Sequence, residues 1–196
     1  MKTTPELVAY ISAVMFDRNL TDIAGGNVSA RQEDSIYCTP RYAGQKWHWH
    51  LKPEDIVSGL IEGDGLLQNP SFSREGRSHL AIYRAFPEVK GVIHAHPAHV
   101  LAFCAIEKPI EPVLESTKKY GTLKYHDPAP AYSQQQADSI VENLRGKEEL
   151  MKSAAAAVLM PRHGIIIAGK DLWACIDSLE RININAWCII AQMLIS

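Results

Sequence analysis

Apolar residues recur along this chain with two periods, and the switches between them predict its elements. From Thr4 the spacing is helical: Leu7, Val8, Ile11, Val14 and Met15 share a stripe, opened by a capping threonine and Pro5, with an end expected near Asn19. Residues 35–39, stopped by Pro40, and residues 56–61 read as strands. His79, Ile82, Tyr83 and Phe86 fall at i, i+3, i+4 and i+7, which predicts a helix from about Arg77 to Phe86. It runs into Gly91-Val92-Ile93-His94-Ala95-His96-Pro97, a strand whose period of two sends Val92, His94 and His96 to one face.

A short helix is expected over residues 98–105. Ser133 and Gln136 form a capping-box pattern ahead of Ala137, Ile140, Val141 and Leu144, with Gly146 as the stop. Residues 154–160 and 165–168 are strand-like runs around Arg162-His163-Gly164, where Gly164 is expected to supply a positive φ. Asp171 then caps a long helix in which Trp173, Ile176, Leu179, Ile182, Ala186 and Ile190 repeat; its broad apolar surface suggests packing on a sheet and on another subunit. Strands and helices mix without a βαβ rhythm and without G-x-G-x-x-G, so a Rossmann cofactor domain is not expected.

Composition narrows the function classes. A chain of 196 residues suits one domain, taken as residues 1–196, and a net charge of −2 supplies no basic field for nucleic acid. No apolar run reaches the roughly 20 residues that span a bilayer, and no secretory leader is read at the start, so no membrane partner and a cytoplasmic setting are expected. Cys38, Cys104, Cys175 and Cys188 form no C-x-x-C pair and read as reduced packing residues.

The chemistry concentrates in histidines. His94 and His96 converge on one point but make a poor metal site alone; His163, at another strand's end, is the best third ligand for a catalytic divalent metal. Zinc is the default, with Co²⁺, Mn²⁺, Ni²⁺ or Fe²⁺ compatible with three imidazoles. His48 and His50 repeat the spacing, but beside Trp47 and Trp49 and without a third ligand they read as a solvent-facing or substrate-lining loop. A ketose held through neighbouring oxygens on such a metal could break a carbon–carbon bond through a metal-stabilised enediolate. Glu75, brought near by the helix that follows it, fits the general acid/base, although a carboxylate at a helix start is also favoured by the dipole alone. Gly25-Gly26-Asn27 reads as a tight turn into a strand, with backbone N–H groups free for an anion or simply as a hairpin turn.

Taken in order, Gly26-Asn27-Val28-Ser29-Ala30-Arg31, Thr39-Pro40, Ser73-Arg74-Glu75, His94-Ala95-His96-Pro97 and Arg162-His163-Gly164 resemble the class II aldolase/adducin family over nearly the whole chain. The resemblance implies an α/β, three-layer α/β/α fold with a central mostly antiparallel sheet flanked by helices. It also implies a homotetramer with active sites between subunits, and a zinc-dependent aldolase, an aldehyde-lyase of carbohydrate metabolism such as pentose catabolism. By the same resemblance His94, His96 and His163 are metal ligands, Glu75 is the metal-proximal catalytic glutamate, and Asn27, Gly44 and Ser73 hold phosphate. Glu75 stands where the epimerase branch carries aspartate, which favours lyase chemistry. Arg74 replaces a serine and can grip phosphate or carboxylate, so sugar phosphates and sugar acids both qualify as substrates. Glu115 falls where aldolases of the family place a tyrosine and its dehydratases a glutamate; it is the candidate second acid/base from the neighbouring subunit, with Tyr120 as its rival. A dehydratase or decarboxylase on the same centre is the alternative, and a non-catalytic adducin-like module a third reading.

Overall fold

The computed structural model describes residues 2–195. Six strands make one sheet: β1 (Asn27–Gln32), β2 (Ser35–Cys38), β3 (Val57–Leu60), β4 (Gly91–Ala95), β5 (Ala155–Met160) and β6 (Gly164–Gly169). They lie in the order β3-β2-β1-β4-β6-β5, and all five neighbouring pairs are antiparallel. The sheet is therefore more uniformly antiparallel than expected.

Helices cover both faces because the inner strands are apolar on both sides. Val28, Ala30, Ile93, Ala95, Ile165 and Ile167 pack with α1 (Thr4–Asp17), α4 (Ala98–Ala105) and α7 (Leu172–Ile195). The alternate residues Val92, Ala156, Val158, Ile166 and Ala168 pack with α3 (Gly76–Ala85), α5 (Gln134–Leu144) and α6 (Glu148–Ser153). Strand periodicity thus divides one apolar sequence into two cores and gives the three layers. No helix among the described residues is long and apolar enough to cross a membrane.

Local chemistry sets the helix ends. Ser133 Oγ accepts from the Gln136 N–H at 3.0 Å and Asp171 Oδ1 from the Ala174 N–H at 2.7 Å, as the two cap patterns require. The first helix is capped one residue earlier than expected, by Thr3, whose N–H donates to Glu6 Oε2 at 2.7 Å.

The exposed His48 and His50 lie in a loop, as expected, but a short helix precedes it: α2 (Ala43–Trp47), bounded by Tyr42, His48 and Trp49, all at positive φ. Trp49 is buried, its Nε1–H donating to the Asp22 carbonyl at 2.7 Å, while His48 and His50 are exposed. In the turn before β6 the left-handed residue is Arg162 (φ 53°), not Gly164. Gly164 is needed for close approach, because a Cβ there would stand 2.5 Å from the Ala95 carbonyl oxygen and 2.8 Å from His96 Cδ2. The helix α6 and the 3-10 turn Glu115–Tyr120 were not anticipated.

Candidate active site

Sheet register assembles the site. Asn27 on β1 pairs with His94 on β4, which pairs with Ile166 on β6, so Asn27 and His94 sit side by side on the face that α3 covers. His96 follows one residue past the strand end, and the turn between β5 and β6 supplies His163. The three rings meet, with centroids 4.7 to 5.2 Å apart and one nitrogen from each within 4.8 Å of the others.

Hydrogen bonds fix how two of these rings face. His94 Nδ1–H donates to the Ile165 carbonyl at 3.1 Å. His96 Nδ1 lies 3.3 Å from the Asp22 carboxylate, which also accepts from the Ala24 and Gly25 N–H groups. With the Nδ1 atoms committed, the two Nε2 atoms face each other at 3.1 Å. Burial, and then the two neighbouring imidazoles, hold His94 well below the ordinary histidine range, so a proton is a poor bridge. Burial likewise pulls His163 down to about 4. Three imidazoles with converging ring nitrogens fit a divalent cation. The 3.1 Å spacing is near the roughly 3.3 Å edge of a zinc tetrahedron built from bonds of about 2.0–2.1 Å.

Glu75, at the start of α3, is only 3% exposed. Ser78 Oγ donates to its Oε2 at 3.2 Å, while Oε1 has no partner among the described residues and lies 3.9 Å from His163 Nδ1. Burial pushes the carboxyl up to about 7 against the pull of Ser78 and Arg74. It is a proton carrier poised near neutrality.

The rest of the cleft is polar. The Asn27 amide donates to Ser73 Oγ at 2.9 Å and leaves its own oxygen without a partner among the described residues. The Arg41 N–H donates to the Ser71 carbonyl at 2.8 Å, joining the segment after β2 to the segment before α3 and bringing Arg41, Ser73 and Arg74 to one rim. The Arg74 guanidinium stands 4.7 Å over the Tyr132 ring. Gly44 also lines the cleft, but its missing side chain is accounted for by the Ile23 carbonyl, 2.6 Å from where a Cβ would lie. The glycine turn is not a free anion nest, since Asp22 already takes the Gly25 N–H.

Glu115 does not line this cleft: its side chain is 86% exposed and pairs with Lys118 at 2.5 Å. Tyr120 is buried, with its hydroxyl 2.9 Å from Ser178 Oγ. Sequence reasoning missed Asp22, Trp49, Tyr132 and the buried His79 and His126. Asp22 had a readable signal, an aspartate three residues before a glycine that its carboxylate caps.

At the rim of an antiparallel α/β/α sheet, three histidines, His94 buried and His96 and His163 half-buried, converge beside a carboxylate with an unpartnered oxygen among the described residues, an arrangement that could hold a metal ion. The chain belongs to the family described as Class II Aldolase and Adducin N-terminal domain, whose sequence profile matches residues 6–187. It is 27% identical to an L-fuculose phosphate aldolase of Methanocaldococcus jannaschii, over 87% of this chain and 84% of that protein. It is 26% identical to a 3-oxo-tetronate 4-phosphate decarboxylase of Haemophilus influenzae, over 92% and 84%. A solved L-fuculose 1-phosphate aldolase superposes with a TM-score of 0.80 at 19% identity, covering 98% of this chain and 89% of that one, which is a likeness of fold.

Proposed function

We propose that this protein is a divalent-metal-dependent aldehyde-lyase that splits a small ketose phosphate by a retro-aldol reaction, giving dihydroxyacetone phosphate and a short aldehyde. The observation that carries this reading is the trio of converging imidazoles beside a buried carboxylate with one free oxygen. His94, His96 and His163 hold the cation, with zinc the first choice and Co²⁺ or Mn²⁺ compatible. When bound, a divalent cation supplies Lewis acidity to a substrate carbonyl.

The residues divide the remaining work. Asn27, Ser73 and Arg74, with Arg41 on the same rim, take the phosphate, and Gly44 keeps the opposing loop close. As the carbon–carbon bond breaks, one fragment keeps the electron pair; Glu75 in its protonated form delivers a proton to that carbon and recovers it in the condensation direction. The hydroxyl on the departing carbon must lose its proton to a second base. Glu115 can serve only from another copy of the chain, as in a homotetramer with sites between subunits, because it lies outside its own cleft.

A second reading is a decarboxylase. Arg41 and Arg74 offer two cationic groups to one cleft, enough for a phosphate and a carboxylate together, and a relative bears that name. Metal-reconstituted protein incubated with ketose phosphates and with phosphorylated 3-oxo sugar acids separates the two. Dihydroxyacetone phosphate with an aldehyde, identified by mass spectrometry, supports the lyase; carbon dioxide release supports the alternative. Purified protein that holds no stoichiometric divalent metal overturns both.

A further inference from the structure

The arginines of this chain fall into groups by what they meet. Arg18, Arg145, Arg162 and Arg181 pair with carboxylates, and Arg31 and Arg84 donate to main-chain carbonyls. The others, Arg41, Arg74 and Arg77, form no ion pair among the described residues, and all of them line one groove together with Gln68, Asn69 and Ser73. Arg41, Ser73, Arg74 and Tyr132 also line the cleft, whereas Arg77, Gln68 and Asn69 belong to the groove alone. No aspartate or glutamate among the described residues lines the groove, and Glu75 lines only the cleft.

Each of these arginines is oriented without being neutralised. Arg77 Nη1 donates to Gln134 Oε1 at 3.0 Å, the Arg74 guanidinium stands 4.7 Å over the Tyr132 ring, and that of Arg41 stands 5.1 Å over the Tyr42 ring. Arg74 is exposed and Arg41 and Arg77 are half-buried, so a ligand reaches them from solvent. A guanidinium keeps its charge at any physiological pH, so cations gathered in one partly desolvated groove repel without relief from proton loss. Arg77 also stands in the first turn of α3, where the helix dipole disfavours a cation. An oxyanion with several acceptors removes both penalties, and the planar fork of a guanidinium matches a phosphoryl group two oxygens at a time.

We propose that the groove is a second anion site, in which Arg77, with Arg41 and Arg74, takes a phosphoryl group other than the one held in the cleft. Arg77 has no part in the reaction proposed above, and the site is the same whether that reaction is a lyase or a decarboxylase. Two sources share this chemistry: a second phosphoryl group carried by the substrate, and free phosphate ion.

The test is calorimetric and uses the metal-loaded full chain at low ionic strength, native and Arg77→Met, which removes the charge and keeps an apolar stem. In one arm inorganic phosphate is titrated into protein saturated with dihydroxyacetone phosphate; in the other, fructose bisphosphate is compared with fructose 1-phosphate. Free phosphate as the source gives about one ion bound per chain in the first arm, and a substrate-borne group gives a bisphosphate that binds about 10–100-fold tighter than the monophosphate. In either case Arg77→Met should weaken that binding by about 10–100-fold and leave the affinity for dihydroxyacetone phosphate within about twofold of native. Arg77→Lys, which keeps the charge and loses the fork, should recover part of the binding. A native protein that gives neither signal, or an Arg77→Met chain that keeps the signal in full, overturns the inference. So does an Arg77→Met chain whose affinity for dihydroxyacetone phosphate falls about tenfold, because the groove is then part of a single phosphate site. A native protein that fails to bind dihydroxyacetone phosphate overturns the lyase reading, while the phosphate titration, which needs no turnover, still decides this inference.

Discussion

The two ends of the cleft are built differently. At the metal end, His94 is held in strand register and His96 just beyond it; each has Nδ1 against an acceptor, and glycine backbones press on the His96 ring. At the substrate end, Arg41, Arg74 and Tyr132 stand on irregular segments, and polar atoms such as Asn27 Oδ1 and Arg41 Nε lack partners among the described residues. The histidine end is preorganised by main chain and, as the proposed metal centre, would serve any substrate with a suitable carbonyl. The substrate end carries unfilled hydrogen-bonding capacity, and those unfilled atoms specify which molecule enters.

Substitutions at the two ends should therefore separate cleanly. The largest effect is expected for His94→Ala: the cation loses one of three ligands, so bound metal by elemental analysis should fall from about one per chain to near none, and turnover with it. Retention of metal would dissolve the distinction between the ends.

Beneath the histidine end, His79 is fully buried against Ser29 Oγ at 2.7 Å, with Nε2 unpartnered among the described residues, and burial pulls its pKa down to about 3. A histidine whose folded value lies below its unfolded one contributes stability that is complete above about pH 6.5 and is lost as the pH falls toward 3. Of the stability that the metal-free protein loses across that window, up to about 4 kcal/mol should come from His79, in addition to the losses from His94 and His163, and His79→Phe should make the slope of chemical denaturation against pH shallower by that share.

A smaller effect tests the support of His96. Asp22→Ala should weaken the metal by about 10–100-fold in a competition titration while leaving the helix content by circular dichroism unchanged. Smallest of all is Arg74→Met at the substrate end, which should raise KM by about tenfold, leave metal affinity untouched and change kcat little. A fall in metal affinity in this variant would show that the two ends are coupled.

Most of the framework and the convergence of the three histidines were legible in the chain, for one physical reason. A period of two fixes both the sheet face and the direction of His94, and the two caps, Ser133 and Asp171, announce their helices locally. What stayed hidden depends on contacts between distant segments. The short helix α2 is bounded by three non-glycine residues at positive φ, which propensity disfavours and which tertiary packing of Trp49 under Asp22 overrides. His79 and His126 gave no pattern because burial and unmet partners set them apart, and only the fold defines those. Glu115 was placed by family likeness, and a single chain leaves it in solvent.

The glycines that flank His96 bear on how the cation preference can be altered. A side chain at position 25 would collide with the His96 ring, and one at 164 with both that ring and the neighbouring strand. Engineering toward a harder ion by installing an oxygen donor therefore has little room at position 96, where Gly25 and Gly164 match an imidazole and any replacement leaves a gap or a clash. Position 163, carried on a three-residue turn rather than between packed backbones, is where a carboxylate could be introduced with least disturbance to the rest of the molecule.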